Sequence, residues 1–303
     1  MSFSNLQNRF RGCLLGLACG DAVGTTVEFS PRGSFEPVRD MVGGGPFNLP
    51  AGAWTDDTSM ALCLAHSLLH CQGFDARDQM NRYTNWQQHG YMSSTGSCFD
   101  IGVTIARALQ RYQLSGNPFA GVPDPRQAGN GSLMRLAPVV LYYFDQPDQL
   151  PGMAAESART THGAEEVLAA TRLFARQLRA ALAGQSKDAI VQGLQDEPCP
   201  PKVAALARGD WRDKAESEIK GSGYVMESLE AALWCFWHTD SFEAAILRAA
   251  NLGDDADTTA AICGQLAGAY YGVEAIPLPW RQRLVMAQEI TALADQLLAQ
   301  RRH

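Results

Sequence analysis

The sequence has 303 residues, 46% of them hydrophobic, and its 25 Lys and Arg against 32 Asp and Glu give a formal net charge of −7. A chain of that length buries a substantial core without staples, and its acidic balance excludes the electrostatic footprint of a protein that wraps nucleic acid or an anionic membrane. Eight cysteines are scattered from Cys13 to Cys263 with no C-x-x-C pair, which excludes a zinc ribbon or redox motif and casts them as small buried hydrophobes in a reducing cytosol.

The first eleven residues are polar, so no secretory signal is expected, and no segment reaches membrane-spanning length without charges; the expectation is a cytoplasmic protein. Residues 12–27 read as a small-residue helix. Its Gly16, Gly20 and Gly24 fall every fourth residue on one side, which predicts close approach of another backbone. Residues 30–53, with Gly43, Gly44, Gly45 and Pro46, read as a long irregular loop, a length usually reserved for function. Helices are expected over 58–70 and over 101–112, the second stopped by Ser115-Gly116-Asn117-Pro118. Another Gly/Pro-rich loop covers 117–131, and 133–144 is apolar and buried. A helix over 165–183 ends at Gly184, followed by a polar, linker-like stretch with Pro198, Pro200 and Pro201. Four more helices follow, over 224–238, 242–251, 259–271 and 280–301. There is no run of alternating strands and no repeat. The fold class is therefore all-α: a compact, single-domain helical bundle over 1–303 with catalytic loops at one end. No apolar seam stands out, so a monomer is expected.

Two acidic segments stand directly before helix-period runs: Trp54-Thr55-Asp56-Asp57-Thr58 and Gly253-Asp254-Asp255-Ala256-Asp257-Thr258-Thr259. Helix capping explains one or two such acids. It explains three acids in four residues poorly, because adjacent carboxylates repel unless a cation or protons compensate. Carboxylates and Thr hydroxyls are hard donors that suit Mg²⁺, Mn²⁺ or Ca²⁺ and not zinc or copper, and the spacing does not fit an EF-hand loop. Two clusters far apart in sequence can converge on a pair of cations about 3.5–4 Å apart, with Asp257 as the bridging carboxylate.

Gly20-Asp21-Ala22-Val23-Gly24 with Glu28, then Thr55-Asp56-Asp57-Thr58, Gly129-Asn130-Gly131-Ser132-Leu133-Met134-Arg135, Thr161-His162 and Asp255-Ala256-Asp257-Thr258-Thr259 occur in that order. As an ordered set over residues 10–295 they resemble the ADP-ribosylglycohydrolases, closest to the bacterial branch that includes dinitrogenase reductase-activating glycohydrolase. The resemblance implies an all-α fold with a dinuclear cleft for two divalent cations, Mg²⁺ or Mn²⁺. It implies that Thr55, Asp56, Asp57 and Asp257 hold one ion, and Asp255, Asp257 and Thr258, with Thr55 shared, the other. Glu28 would sit over the cleft near the scissile bond and, with Asp56, Asp57 and Asp257, make up the catalytic set. Asp100, Asn130, Gly131, Ser132 and His162 would belong to the ADP-ribose pocket.

Each of these residues also has an ordinary reading. Glu28 can be a solvated acid, Asn130-Gly131 a tight turn, and His162 a structural histidine. Tyr224 and Trp234 read as core, with stacking on adenine as the alternative. Two positions depart from the family. Val103 stands where relatives often carry a polar residue, and Asp254 stands where some carry Gly.

The implied reaction is metal-dependent hydrolysis of the glycosidic bond between ADP-ribose and a modified protein, arginine by default, with ADP-ribose as product. Cleavage would pass through an oxocarbenium-like state, with Glu28 the leading candidate for general acid–base work. No G-x-S-x-G elbow or cysteine nucleophile motif competes. The alternatives are a two-metal phosphoesterase acting on a nucleotide, and a protein that binds ADP-ribose or neutralises a toxin without turnover.

Overall fold

In the computed structural model, which describes residues 2–192 and 198–300, the chain opens on helix α1, Phe3–Gly24. Ser2 caps it by accepting from the Asn5 N–H. The helix starts nine residues earlier than the small-residue pattern predicts, because its polar first turns still bury Leu6 and Phe10. A long loop leads to α2, Asp56–Cys71, then α3, Ala76–His89, and α4, Val103–Ser115. Next come α5, Ala137–Tyr142, α6, Leu150–Arg159, α7, Glu165–Leu182, α8, Lys187–Val191, and α9, Pro201–Arg208. The chain closes with α10, Val225–Trp237, α11, Phe242–Ala250, α12, Ala256–Tyr271, α13, Leu278–Arg283, and α14, Ala287–Ala299. Among the described residues there is no strand, only two isolated bridges, Gly44 to Leu49 and Gly129 to Tyr224. The fold is all-α, as expected.

The centre of the molecule is the antiparallel pair α1 and α12. A Cβ on Gly12 would stand 2.3 Å from Gly268 O, one on Gly16 2.3 Å from Gly264 O, and one on Gly20 2.1 Å from Ala260 O. These distances lie inside van der Waals contact, so the backbones approach as closely as they do only because the side chains are hydrogens. The glycine spacing thus has the cause inferred from sequence. Gly16→Ala is expected to destabilise the protein by about 3 kcal/mol, the upper range for overpacking, since its neighbour is backbone and cannot rotate away. A urea midpoint equal to that of the unsubstituted protein would refute this.

One apolar core runs from Leu6 to Leu298. A smaller cluster around Tyr83, Trp86 and Leu109 joins α2, α3 and α4. The segment 133–144 is buried as expected, and all eight cysteines are free. Burial pushes the Cys19 thiol up to about 12, so it packs as an inert hydrophobe. Among the described residues no helix is long and apolar enough to cross a membrane.

One helix was not read from the sequence, and two expectations are refined. Residues 76–89 form a helix, capped by Asp75 accepting from the Asp78 N–H, with Met80, Tyr83 and Trp86 on its buried face. The linker-like stretch falls partly on 193–197, outside the described residues, but Pro201 then opens α9, where a missing N–H is tolerated. The helix expected over 280–301 is broken: Met286 adopts φ 56°, the Val285 N–H donates to Gly52 O at 2.9 Å, and the Trp54 indole donates to Val285 O at 3.1 Å. Tertiary hydrogen bonds replace helical ones there.

Candidate active site

The tight pairing of α1 with α12 fixes the site, because it sets the end of α1 against the start of α12. Asp21, in the last turn of α1, is fully buried. One carboxylate oxygen accepts from the Thr55 N–H at 2.9 Å and the Thr55 hydroxyl at 3.0 Å. The other accepts from the Thr58 N–H at 3.0 Å and its hydroxyl at 2.6 Å. Asp21 therefore caps α2 from another helix. Burial raises its pKa to about 6 against the lowering effect of those four hydrogen bonds. The Thr55 hydroxyl also lies 3.1 Å from Asp257 Oδ2, and the Thr258 hydroxyl donates to Asp57 Oδ2 at 3.3 Å. The two acidic segments, about two hundred residues apart in sequence, thus meet.

They meet at the base of a cleft of about 800 Å³. Glu28, Asp100 and Asp257 each bring a carboxylate oxygen to within 4.8 Å of the others. With Asp21, Asp56, Asp57 and Asp255, seven carboxylates crowd this region, and among the described residues no Lys or Arg lines the cleft. The buried Arg135 guanidinium, behind the wall, is bonded to Thr161 at 2.6 Å and stacked 4.8 Å from the Tyr83 ring. Burial, and then the charge of Asp100, raise Glu28 to about 9; burial likewise raises Asp100 to about 7. Asp56, Asp57 and Asp257 are pushed well above the usual carboxylate range by burial and then by the charges of the surrounding acids, Asp100 first for Asp56, Asp21 for Asp57 and Glu28 for Asp257. Buried Asp57 Oδ1, Asp257 Oδ1 and Glu28 Oε2 have no hydrogen-bond partner. Orphaned acceptors of this kind are costly and rare in folded proteins. A hard cation satisfies them, and capping does not.

One wall comes from the loop before α5 and the end of α6. The Asn130 amide donates to Asp255 Oδ2 at 2.7 Å and to Ser228 Oγ at 3.2 Å. Both of its hydrogens are committed, so Asn130 positions Asp255. His162 Nδ1 lies 2.8 Å from the Thr161 hydroxyl. That oxygen accepts from Arg135, and Nδ1 is the acceptor in reach of its own hydrogen, which would otherwise be buried unpaired; this assigns the ring proton to Nε2. Burial and the Arg135 charge lower His162 to about 3, so the ring is neutral and offers an Nε2–H donor. Gly131 makes room for it, since a Cβ there would stand 2.9 Å from His162 Cε1.

Of the residues singled out from sequence, Glu28, Asp56, Asp100, Asn130, Gly131, His162, Asp255, Asp257 and Thr258 line the cleft. Thr55 and Asp57 lie just behind and reach it through the hydrogen bonds above. Ser132 lies deeper, with its hydroxyl 2.9 Å from that of Thr171. Trp234 is buried away from the cleft. Tyr224 is half-buried, with its hydroxyl donating to Glu166 and accepting from Lys202 at 2.7 Å. Sequence reasoning quoted Asp21 within the Gly20–Gly24 motif but gave it no role, though it is the acid that orients Thr55 and Thr58. It likewise missed Phe29, whose ring stands on the rim.

The family model described as ADP-ribosylglycohydrolase matches residues 2–303. The chain is 44% identical over 294 residues to the ADP-ribosylarginine hydrolase Tri1 of Pseudomonas putida (strain GB-1), covering 96% of this chain and 78% of that protein. It is 33% identical over 307 residues to the ADP-ribosyl-[dinitrogen reductase] glycohydrolase of Rhodospirillum rubrum, covering 99% and 98%. Among solved structures, a chain from an ADP-ribosylglycohydrolase-related protein complex superposes with a TM-score of 0.89 at 46% identity, covering 98% of this chain and 99% of that one.

Proposed function

This chain belongs to the ADP-ribosylglycohydrolase family, and we propose that it hydrolyses the glycosidic bond between ADP-ribose and a protein arginine, reversing mono-ADP-ribosylation. The observation that carries the reading is the convergence of seven carboxylates on one cleft whose described wall holds no cationic side chain. Support for arginine comes from the relative named an ADP-ribosylarginine hydrolase.

The donor set fits divalent cations. Thr55, Asp56, Asp57 and Asp257 would hold one, and Asp255, Asp257 and Thr258, with Thr55 shared, a second; the hardness of these donors favours Mg²⁺ or Mn²⁺. Bound there, such cations supply charge stabilisation on oxygen and activation of water. The remaining work belongs to the chain. Glu28, buried beside Asp100 and Asp257, would be the group that passes a proton at the scissile bond. Neutral His162 offers a hydrogen-bond donor to a ribose or phosphate oxygen and takes no part in proton transfer near pH 7. Asn130 fixes Asp255 through its amide.

The test is incubation with an arginine-ADP-ribosylated protein in Mn²⁺ or Mg²⁺ and in EDTA, with products followed by mass spectrometry. Cation-dependent release of intact ADP-ribose is expected. AMP release would mean pyrophosphate cleavage. Binding of ADP-ribose with no release would mean a reader or a different linkage. Because Asn130 acts through Asp255, Asn130→Ala is expected to weaken Mn²⁺ binding roughly tenfold, the lower range for loss of a group that orients a metal ligand. Calorimetry showing unchanged Mn²⁺ affinity but weaker ADP-ribose binding would return Asn130 to direct substrate contact.

A further inference from the structure

Three non-glycine residues on the rim of the cleft adopt left-handed backbone: Phe29 with φ 62°, Asp100 with φ 58° and Asp254 with φ 56°. For a bulky side chain that conformation is a genuine outlier, and such residues persist only where the surroundings over-determine them. Here they do. The Phe29 N–H donates to Asp254 O at 2.7 Å, and the Asp254 N–H donates to Ser30 O at 2.9 Å. The Arg32 guanidinium ties the same loop to Leu252 O at 3.2 Å, to Glu216 O at 2.7 Å and to Ile219 O.

The clamp holds outward a ring that burial would otherwise draw in. Phe29 is 66% exposed, and Val103, also on the rim, is 65% exposed. The Phe29 and Phe47 rings meet in a T-shape with centroids 6.4 Å apart, and Phe47 meets Phe99 at 5.2 Å. Asp254, bonded backbone to backbone with Phe29, is exposed beside it. A fixed aromatic face, an exposed carboxylate and a small apolar side chain therefore surround the mouth of an otherwise acidic cleft.

We propose that Phe29, Asp254 and Val103 form the acceptor subsite, which takes the side chain of the modified arginine. The planar guanidinium stacks on the Phe29 ring by cation–π attraction, Asp254 supplies the opposite charge, and the methylene stem lies along Val103. The inference rests on the arginine reading and deepens it. A serine acceptor brings neither a cation nor a stem, so this mouth selects against it.

Steady-state kinetics on the arginine-ADP-ribosylated protein, with free ADP-ribose affinity measured in parallel by calorimetry, test the subsite. Phe29→Leu and Asp254→Asn are each expected to raise KM roughly three- to thirtyfold, with kcat and ADP-ribose affinity held. Phe29→Trp is expected to keep the KM of the unsubstituted protein. Phe29→Gly removes the ring and relieves the left-handed backbone, so it should raise KM while keeping the melting temperature; a merely structural Phe29 would lower it. Unchanged KM in both Phe29→Leu and Asp254→Asn, or a parallel loss of ADP-ribose affinity, overturns the subsite. An unsubstituted protein inactive on arginine-linked substrate overturns the arginine reading itself, a result seen before any variant is compared.

Discussion

Asp257→Asn is expected to reduce kcat at least roughly a thousandfold, the scale for losing a group on which several others depend, and to raise the melting temperature of the protein in EDTA. The two effects share one cause. Asp257 is the carboxylate at which both acidic segments meet: it lies 3.1 Å from the Thr55 hydroxyl and within 4.8 Å of carboxylate oxygens of Glu28 and Asp100. It is buried, and one of its oxygens has no hydrogen-bond partner. Without cations, burial and then the charges of Glu28, Asp57 and Asp255 push it well above the usual carboxylate range. The folded state therefore bears a penalty that an amide of the same shape does not, about 1–3 kcal/mol on the scale of buried polar groups. With saturating Mn²⁺ the order reverses, because the charged carboxylate binds the cation more strongly than a neutral amide oxygen does. Melting curves with EDTA and with Mn²⁺, beside turnover in excess Mn²⁺, separate the cases. Near-normal turnover, or a lower melting temperature in EDTA, would sink the assignment.

How far the site was legible depends on the kind of interaction that builds each part. The spacing of Gly16, Gly20 and Gly24 is a local pattern with one physical reading, and α12 lies against that face. The acidic segments at 54–58 and 253–259 were legible because uncompensated charge is costly wherever the chain goes. Asp21 was not, since its four hydrogen bonds come from residues more than thirty positions away. Asp100 was assigned to substrate and lines the cleft; the left-handed turn before α4 that sets it beside Glu28 and Asp257 is announced by no periodicity. Helix α3 was missed because its buried residues are few: Gln79, Met80, Tyr83 and Trp86 among fourteen. The break between α13 and α14 was missed because its hydrogen bonds run to Gly52 and Trp54, at the other end of the chain.

Stability in EDTA is expected to fall as pH rises from about 5 to about 9. The acids responsible are Glu28, raised to about 9, Asp100, raised to about 7, and Asp21, raised to about 6. Unfolded carboxyls titrate near 4. Between that value and the folded pKa the native state binds more protons than the unfolded chain, so the slope of stability against pH is negative. The contribution is complete below the unfolded pKa and is lost as pH rises through the folded values, Asp21 first and Glu28 last. Cations act in the opposite sense, since they bind the deprotonated carboxylates and their affinity grows with pH. The gap in melting temperature between Mn²⁺ and EDTA should therefore widen steadily from pH 5.5 to 8.5. Urea titrations at three pH values in each condition measure it. A flat profile in EDTA would mean that the acids are not crowded as described. A gap that narrows with pH would mean that cations bind elsewhere, because no other arrangement of these seven carboxylates reverses the sign.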